Sequence, residues 1–209
     1  MELLIKTIKN KPIDSNCFIL YNNSSSDCII VDPGTEDCCD LLLFLNQNKL
    51  VPGNIILTHE HFDHIMGVNK LIDLFNCNIV CSEKCLEYIG DKKKNLSVFQ
   101  NQVGFEIKTK NVILASNEVL KLGNYNIEFK ETLGHSLGSL SFWINKNLFT
   151  GDVLIENTKT ITKLPGGCIN QLKNSLKLLN ELFCQSDMIV YPGHGEIFMF
   201  NKIDFKNII

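Results

Sequence analysis

Three imidazoles and two carboxylates fall within six residues of this chain, in Thr58-His59-Glu60-His61-Phe62-Asp63-His64, directly after Asn54-Ile55-Ile56-Leu57. The chain has five histidines in all, and the other two each follow a glycine, in Leu133-Gly134-His135-Ser136 and Pro192-Gly193-His194-Gly195. Histidines placed only in loop contexts, beside glycine or one another, are hard to explain as packing. Asp152, in Thr150-Gly151-Asp152, adds a further carboxylate. Imidazole with carboxylate is a donor set for Zn²⁺, and equally for Fe or Mn. His59, His61, Asp63, His64, His135, Asp152 and His194 are too many for one tetrahedral zinc. They suffice for two metals bridged by one carboxylate, each with a position left for water. A pair of ions roughly 3.5–4 Å apart can hold a bridging hydroxide, polarise a carbonyl or phosphoryl oxygen, and bring the pKa of water from about 15.7 towards ~7. No Ser-x-x-Lys, Gly-x-Ser-x-Gly or P-loop pattern offers a competing mechanism. Asp63 is read as both the N-cap of a following helix and a ligand. Glu60 is read as pointing away from the metals, exposed to solvent or behind the ligands.

Strand ends must position these groups. Leu3 to Ile8, Cys17 to Tyr21 and Cys28 to Val31 read as strands, the last two joined by the polar turn Asn22 to Asp27. Thr35 is expected to cap a helix running to about Asn48, and Pro52-Gly53 to break the chain. Asn54 to Leu57 is a short, continuously apolar strand, as in a sheet covered on both faces. Ile65, Val68, Leu71, Ile72 and Phe75 give one helix from Asp63 or His64 to Phe75. Asn78 to Cys81 is a strand, and Ser82 caps a helix to Ile89. Residues 91–110 carry little readable pattern. Extended segments follow at Val112 to Ala115, Val119 to Leu122, Tyr125 to Glu131, Ser139 to Ile144 and Leu148 to Thr150. Ile169 to Phe183 is an amphipathic helix and Met188 to Val190 a last strand. The order of elements fits two packed sheets with helices outside, a four-layer arrangement, better than simple βα alternation. Each candidate ligand stands at or near a strand end, where a rigid sheet can hold a site.

Composition narrows the partners. At 209 residues the expectation is a single domain over 1–209. A net charge of −3 leaves no basic footprint for nucleic acid, and Lys92-Lys93-Lys94 reads as a solvated run. Met1 to Asn10 alternates Leu/Ile with Lys and lacks the apolar centre of a signal peptide; the longest wholly apolar run, Leu41 to Leu45, is far short of a membrane span. A cytoplasmic protein is expected, a monomer or small homo-oligomer acting on a small molecule. The nine cysteines fit that compartment as reduced thiols, with Cys77, Cys81 and Cys85 read as small buried side chains.

Taken together, His59-x-His61-x-Asp63-His64, Gly134-His135-Ser136-x-Gly138-Ser139, Thr150-Gly151-Asp152 and Pro192-Gly193-His194-Gly195 resemble the metallo-β-lactamase-fold hydrolase superfamily. Asp32-Pro33-Gly34 fits that family's early strand-end turn. The resemblance implies an αββα sandwich with a binuclear zinc, iron or mixed site. It implies one metal on His59, His61 and His135, a second on Asp63, His64 and His194, and Asp152 between them. A hydroxide between the metals would attack the substrate, and Asp63 would take or relay its proton. Leu164-Pro165-Gly166-Gly167, a helix and Tyr191-Pro192-Gly193-His194 are similar to the short members of the glyoxalase II-like group. A thioester is therefore the expected substrate, with an iron-dependent sulfur dioxygenase or a phosphodiesterase as alternatives. The chain runs only about fifteen residues past His194, too few for the helical domain that holds glutathione in true hydroxyacylglutathione hydrolases. Residues 153–163 also lack the Gly/Arg pattern common there. A β-lactamase is disfavoured because many zinc β-lactamases carry Cys at the position of Asp152. A superfamily nuclease is disfavoured by length, and a flavo-diiron protein by His61 in place of a Glu ligand. Specificity is expected from residues 91–110 and 153–168.

Overall fold

The computed structural model describes residues 2–109, 111–116 and 119–205, so that only the last residue of the 91–110 segment lies outside it. The first half runs β1 (Leu3–Lys9), β2 (Asn16–Asn22), β3 (Asp27–Val31), α1 (Cys39–Asn48), β4 (Val51–Ile56), α2 (Phe62–Ile65), α3 (Val68–Phe75), β5 (Asn78–Cys81), α4 (Glu83–Ile89), α5 (Val98–Asn101) and β6 (Val112–Leu114). The second runs β7 (Leu120–Leu122), β8 (Tyr125–Glu131), β9 (Leu140–Ile144), β10 (Asn147–Gly151), α6 (Ile169–Phe183), β11 (Ile189–Pro192) and β12 (Phe198–Met199). One sheet has the order β1-β2-β3-β4-β5-β6 and the other β12-β11-β10-β9-β8-β7. β3, β4, β5 and β6 pair in parallel, as do β10 and β11; the remaining pairs are antiparallel.

Strand alternation divides the apolar residues into three packed interfaces, which makes four layers. Cys17, Ile19, Ile30, Ile55 and Ile79 face outward onto Leu41, Leu45, Val68, Leu71 and Cys85 of the helices. Their neighbours Phe18, Leu20, Ile29, Ile56 and Val80 face inward onto Ile127, Phe142, Ile144 and Phe149 of the second sheet. Leu172, Leu176, Leu179 and Phe183 recur at helical spacing and put α6 on the far side of that sheet, against Leu148 and Val190. The αββα sandwich expected from the order of elements is thus the architecture observed. Among the described residues no helix is long and apolar enough to cross a membrane.

Some local expectations are corrected. Pro52-Gly53 does not break the chain before the fourth strand but lies inside β4, where the register against β3 shifts between Cys28 and Ile29. β5 pairs with β4 only from Asn54 onward, so the proline sits at the strand's entry, where a missing N–H is tolerated. Thr35 does not cap α1, which starts after Cys38. Its hydroxyl instead accepts from the Lys11 N–H at 2.9 Å and bonds Asn10 Oδ1 at 3.2 Å. The single helix expected up to Phe75 is divided into α2 and α3 at Gly67. There the chain presses on the Asp32-Pro33-Gly34 turn: the Gly67 N–H donates to the Pro33 carbonyl at 2.8 Å, and a Cβ would meet Cys38 Sγ and lie 2.6 Å from the Thr35 carbonyl oxygen. By contrast Ser82 caps α4 as expected, accepting from the Cys85 N–H at 3.1 Å, and all nine cysteines are free.

Gly67→Ala should therefore cost about 1–3 kcal/mol of stability through overpacking. Urea denaturation checks this, with Gly53→Ala, which meets nothing within 4 Å, as the control.

Candidate metal centre

Parallel pairing of β3 with β4 brings Asp32 and the Thr58–His64 loop out at the same sheet edge. Parallel pairing of β10 with β11 does the same for Asp152 and His194. The two edges are joined by a bridge between Ser15 and His194 and by the Leu140 N–H, which donates to the Thr58 carbonyl at 2.8 Å. The result brings together all seven residues singled out from the sequence. His59, His61 and His135 form one group whose candidate ligand atoms lie within 4.8 Å of one another, and Asp63, His64 and His194 form another. Asp152 reaches both groups. Its Oδ2 lies 3.6 Å from His135 Nε2 and 3.5 Å from His194 Nε2, and its Oδ1 lies 3.5 Å from His64 Nε2.

Surrounding acceptors decide which nitrogen each ring presents. Asp32 Oδ1 accepts the Thr58 N–H at 2.8 Å, and Asp32 Oδ2 accepts the Thr58 hydroxyl at 2.6 Å and His64 Nδ1–H at 3.0 Å. With its proton committed to Asp32, Thr58 Oγ1 accepts from His59 Nδ1–H at 3.1 Å. His135 Nδ1–H donates to the Ile161 carbonyl at 2.9 Å and His194 Nδ1–H to the Asp14 carbonyl at 3.1 Å. These four rings thus spend Nδ1 on an outer acceptor and turn Nε2 into the cluster, which is how surrounding acceptors orient metal-ligating histidines. His61 differs: its Nδ1 lies 2.9 Å from His135 Nε2. Four of the six buried side-chain atoms without a partner among the described residues belong here: Nε2 of His59, His61 and His64, and Oδ1 of Asp152. Buried polar atoms are rarely left unpaired, and these face one another. Such donors could hold metal ions.

Electrostatics agree. Burial and the neighbouring imidazoles hold His59 well below the ordinary histidine range. Burial, reinforced by His135, takes His61 down to about 3. Both rings are therefore neutral and able to coordinate. Burial also disfavours charge on His64, but the carboxylates of Asp63, Asp152 and Asp32 outweigh it and raise its pKa to about 10. Burial raises Asp63 as well, yet His64 and His194 bring it far below the usual carboxylate value. Three carboxylates around one ring are an environment that stabilises a cation.

Some side chains stand elsewhere than sequence spacing suggested. Asp63 is the second residue of α2, whose N-cap is His61, and makes no capping bond; its carboxylate faces His194 Nε2 at 3.3 Å instead. Of the two placements expected for Glu60 the structure takes the one behind the ligands: it is fully buried, with Oε2 accepting from Ser136 Oγ at 2.9 Å. Burial raises its pKa to about 7 against the bonds from its own N–H, Ser136 and Gly138. Asp32 and Thr58 were not singled out as site residues, although a buried aspartate ending an apolar strand before Pro-Gly was the available signal. A recess of about 290 Å³ opens beside His135, Asp152 and His194 and is otherwise walled by Ile155, Glu156, Thr158, Lys159, Thr160 and Ile161, with Gly195 at its edge. Residues 91–109 supply none of that wall; they pack on α3 and α4, where Asn69 donates to the Glu106 carbonyl and Ile107 N–H to the Ile89 carbonyl.

Residues 10–194 match the metallo-beta-lactamase superfamily. A protein of Methanocaldococcus jannaschii named "probable metallo-hydrolase" is 30% identical over 188 residues, covering 88% of each chain. The crystal structure of BLEG-1, a B3 metallo-beta-lactamase, superposes with a TM-score of 0.85 at 30% identity over 95% of both chains. The di-iron-bound form of TTHA1623 shares the fold, with a TM-score of 0.77 at 24% identity over 94% of this chain and 95% of that one.

Because Asp32 orients His64 directly and His59 through Thr58, Asp32→Asn should weaken divalent-ion binding by about 10–100-fold. Titration calorimetry with Zn²⁺ measures it. Zinc should also raise the Tm of the wild-type protein, since it binds only the folded arrangement.

Proposed function

This chain belongs to the metallo-beta-lactamase superfamily, and from that premise we propose that it is a binuclear zinc-dependent hydrolase of a small ester-like substrate, a thioester by preference. The observation that carries the reading is the convergence of His64, His135 and His194 Nε2 on Asp152, with the unpaired Nε2 atoms of His59 and His61 grouped around His135. In this reading His59, His61 and His135 hold one ion, Asp63, His64 and His194 the other, and Asp152 stands between them. Ions held there would supply an activated water at neutral pH and an electrophile for the acyl oxygen.

The rest is done by the chain's own groups. Asp63, kept ionised by His64 and His194, is the carboxylate that takes the proton from the attacking water. Asp32 and the carbonyls of Ile161 and Asp14 hold the imidazoles in one orientation, so little reorganisation accompanies reaction. The recess of about 290 Å³ fits a small acyl group, with Ile155 and Ile161 as its apolar contacts. The likeness of Leu164-Pro165-Gly166-Gly167 and Tyr191-Pro192-Gly193-His194 to the glyoxalase II-like group supports a thioester over other esters. The 30% identity and TM-score of 0.85 with BLEG-1 favour one second reading, hydrolysis of a β-lactam.

Zinc-reconstituted protein assayed with acyl thioesters, lactones, nitrocefin and bis-p-nitrophenyl phosphate separates these readings. The expected result is thioester turnover that falls about 10²–10⁴-fold in Asp63→Ala. Turnover of nitrocefin or of the phosphodiester alone moves the protein to that class. Fully metallated protein inert to the whole panel is not a hydrolase, and oxygen uptake with glutathione persulfide after iron loading would make it a dioxygenase.

A further inference from the structure

We propose that Glu60 is a positioning residue for the three-imidazole half of the centre: its buried carboxylate ties the His59–His61 loop to the turn that carries His135. The inference rests on the binuclear reading above and names a residue that reading does not use.

Glu60 lies between two candidate ligands, yet its side chain is fully buried and forms no ion pair among the described residues. A buried carboxylate without a cation costs stability that an apolar side chain of similar size would not. What it does make is one end of a directed hydrogen-bond chain. The Ser136 N–H donates to Ser139 Oγ at 3.1 Å. The Ser139 hydroxyl then donates to Ser136 Oγ at 2.9 Å, and the Ser136 hydroxyl to Glu60 Oε2 at 2.9 Å. Every proton in that chain runs towards the carboxylate, so the turn 136–139 has one orientation relative to residue 60.

The turn is shaped to admit that carboxylate. A Cβ on Gly138 would meet Glu60 Oε2 and lie 2.8 Å from Cys85 Cα, so only glycine lets the turn close between them. From the opposite side the Gly138 carbonyl accepts from Ser82 Oγ at 2.9 Å, and Ser82 also caps α4. Glu60 and Ser82 thus hold the turn that follows His135 from two separate elements. His135 is also held by the Ile161 carbonyl, and the residues before it by the Cys168 N–H on the Gly134 carbonyl at 2.8 Å and Ser175 Oγ on the Leu133 carbonyl at 2.7 Å. Those bonds reach the His135 segment from the α6 side and the recess wall, whereas Glu60 supplies the buried side-chain tie to the loop that carries His59 and His61.

The second half of the centre is anchored independently. The Asp63 carbonyl accepts from Ser15 Oγ at 2.6 Å, His64 bonds Asp32, and His194 bonds the Asp14 carbonyl. None of these contacts passes through Glu60. By contrast, His61 Nδ1 and His135 Nε2 lie 2.9 Å apart across the two loops that Glu60 joins. Movement of one loop against the other alters that separation directly.

The test is zinc stoichiometry and stepwise affinity, by chelator competition on reconstituted Glu60→Ala, Ser136→Ala and Glu60→Gln proteins. Wild type should bind two zinc ions. Glu60→Ala and Ser136→Ala should weaken one of them about 10–100-fold and leave the other unchanged. Glu60→Gln, which keeps an acceptor oxygen for Ser136, should bind both as wild type does. Two unchanged sites, equal weakening of both, or Glu60→Gln as damaged as Glu60→Ala would overturn the proposal. Should Glu60→Ala fail to fold, Ser136→Ala, which loses one hydroxyl, decides alone. Wild type that binds fewer than two zinc ions removes the binuclear reading and this proposal together. Two zinc ions without ester turnover removes only the hydrolase.

Discussion

The buried carboxylate of Asp32 is the constraint on which the rest of the site depends. It accepts from the Thr58 backbone, the Thr58 hydroxyl and His64 Nδ1, and through Thr58 Oγ1 it also settles His59. One acceptor group therefore fixes the tautomers of two rings, His59 of the three-imidazole group and His64 of the group with Asp63 and His194. It can do so only because β3 and β4 run parallel and end together, which puts residue 32 beside residue 58. A carboxylate so deeply buried is tolerated because both of its oxygens are hydrogen-bonded, Oδ1 to the Thr58 N–H and Oδ2 to the Thr58 hydroxyl and His64.

The same logic extends outward in layers. The sheets bury their apolar faces against helices and each other, and that burial is indifferent to which polar groups stand at the strand ends. The edge of the sandwich is left as the place where carbonyls and carboxylates can be collected. Five acceptors from four separate segments, at Asp14, Asp32, Thr58 with Glu60, and Ile161, then orient rings or turns from outside. Orientation from several elements at once makes the centre rigid, at the cost of leaving Nε2 atoms bare and a histidine caught among carboxylates. Those features are liabilities for a protein without ions and assets for one that holds them. The recess, by comparison, is walled mainly by a single segment, 155–161, which makes it the part of the centre most able to change with substrate.

Much was readable because it is local. Tyr125–Glu131 and Ile169–Phe183 have the bounds that alternation and helical spacing assign to them, and Ser82 caps the helix it precedes. Errors arose where a distant contact overrode a local preference. Pro52-Gly53 is strong turn chemistry, yet pairing with β3 keeps it in a strand. Gly67 divides a helix because a loop thirty residues earlier in sequence lies against it. Asp63 is a good N-cap residue, but the chain enters α2 at His61, and that frees its carboxylate for the site.

The sequence by itself determined which residues meet: rare histidines at strand ends beside glycine have few roles, and their order along the chain identifies the superfamily. It also determined the layered architecture, because alternation and helical periodicity are short-range properties of side-chain direction. Only the tertiary structure decided how those residues are held. Asp32, Thr58 and Glu60 act through partners 26, 32 and 76 positions away, and no local pattern encodes which acceptor a ring nitrogen will find. The direction of Glu60, inward onto Ser136 rather than outward to water, was settled by the turn of Gly138 closing over it. Burial, and with it the choice between a solvated carboxylate and an anchoring one, is a property of the assembled layers.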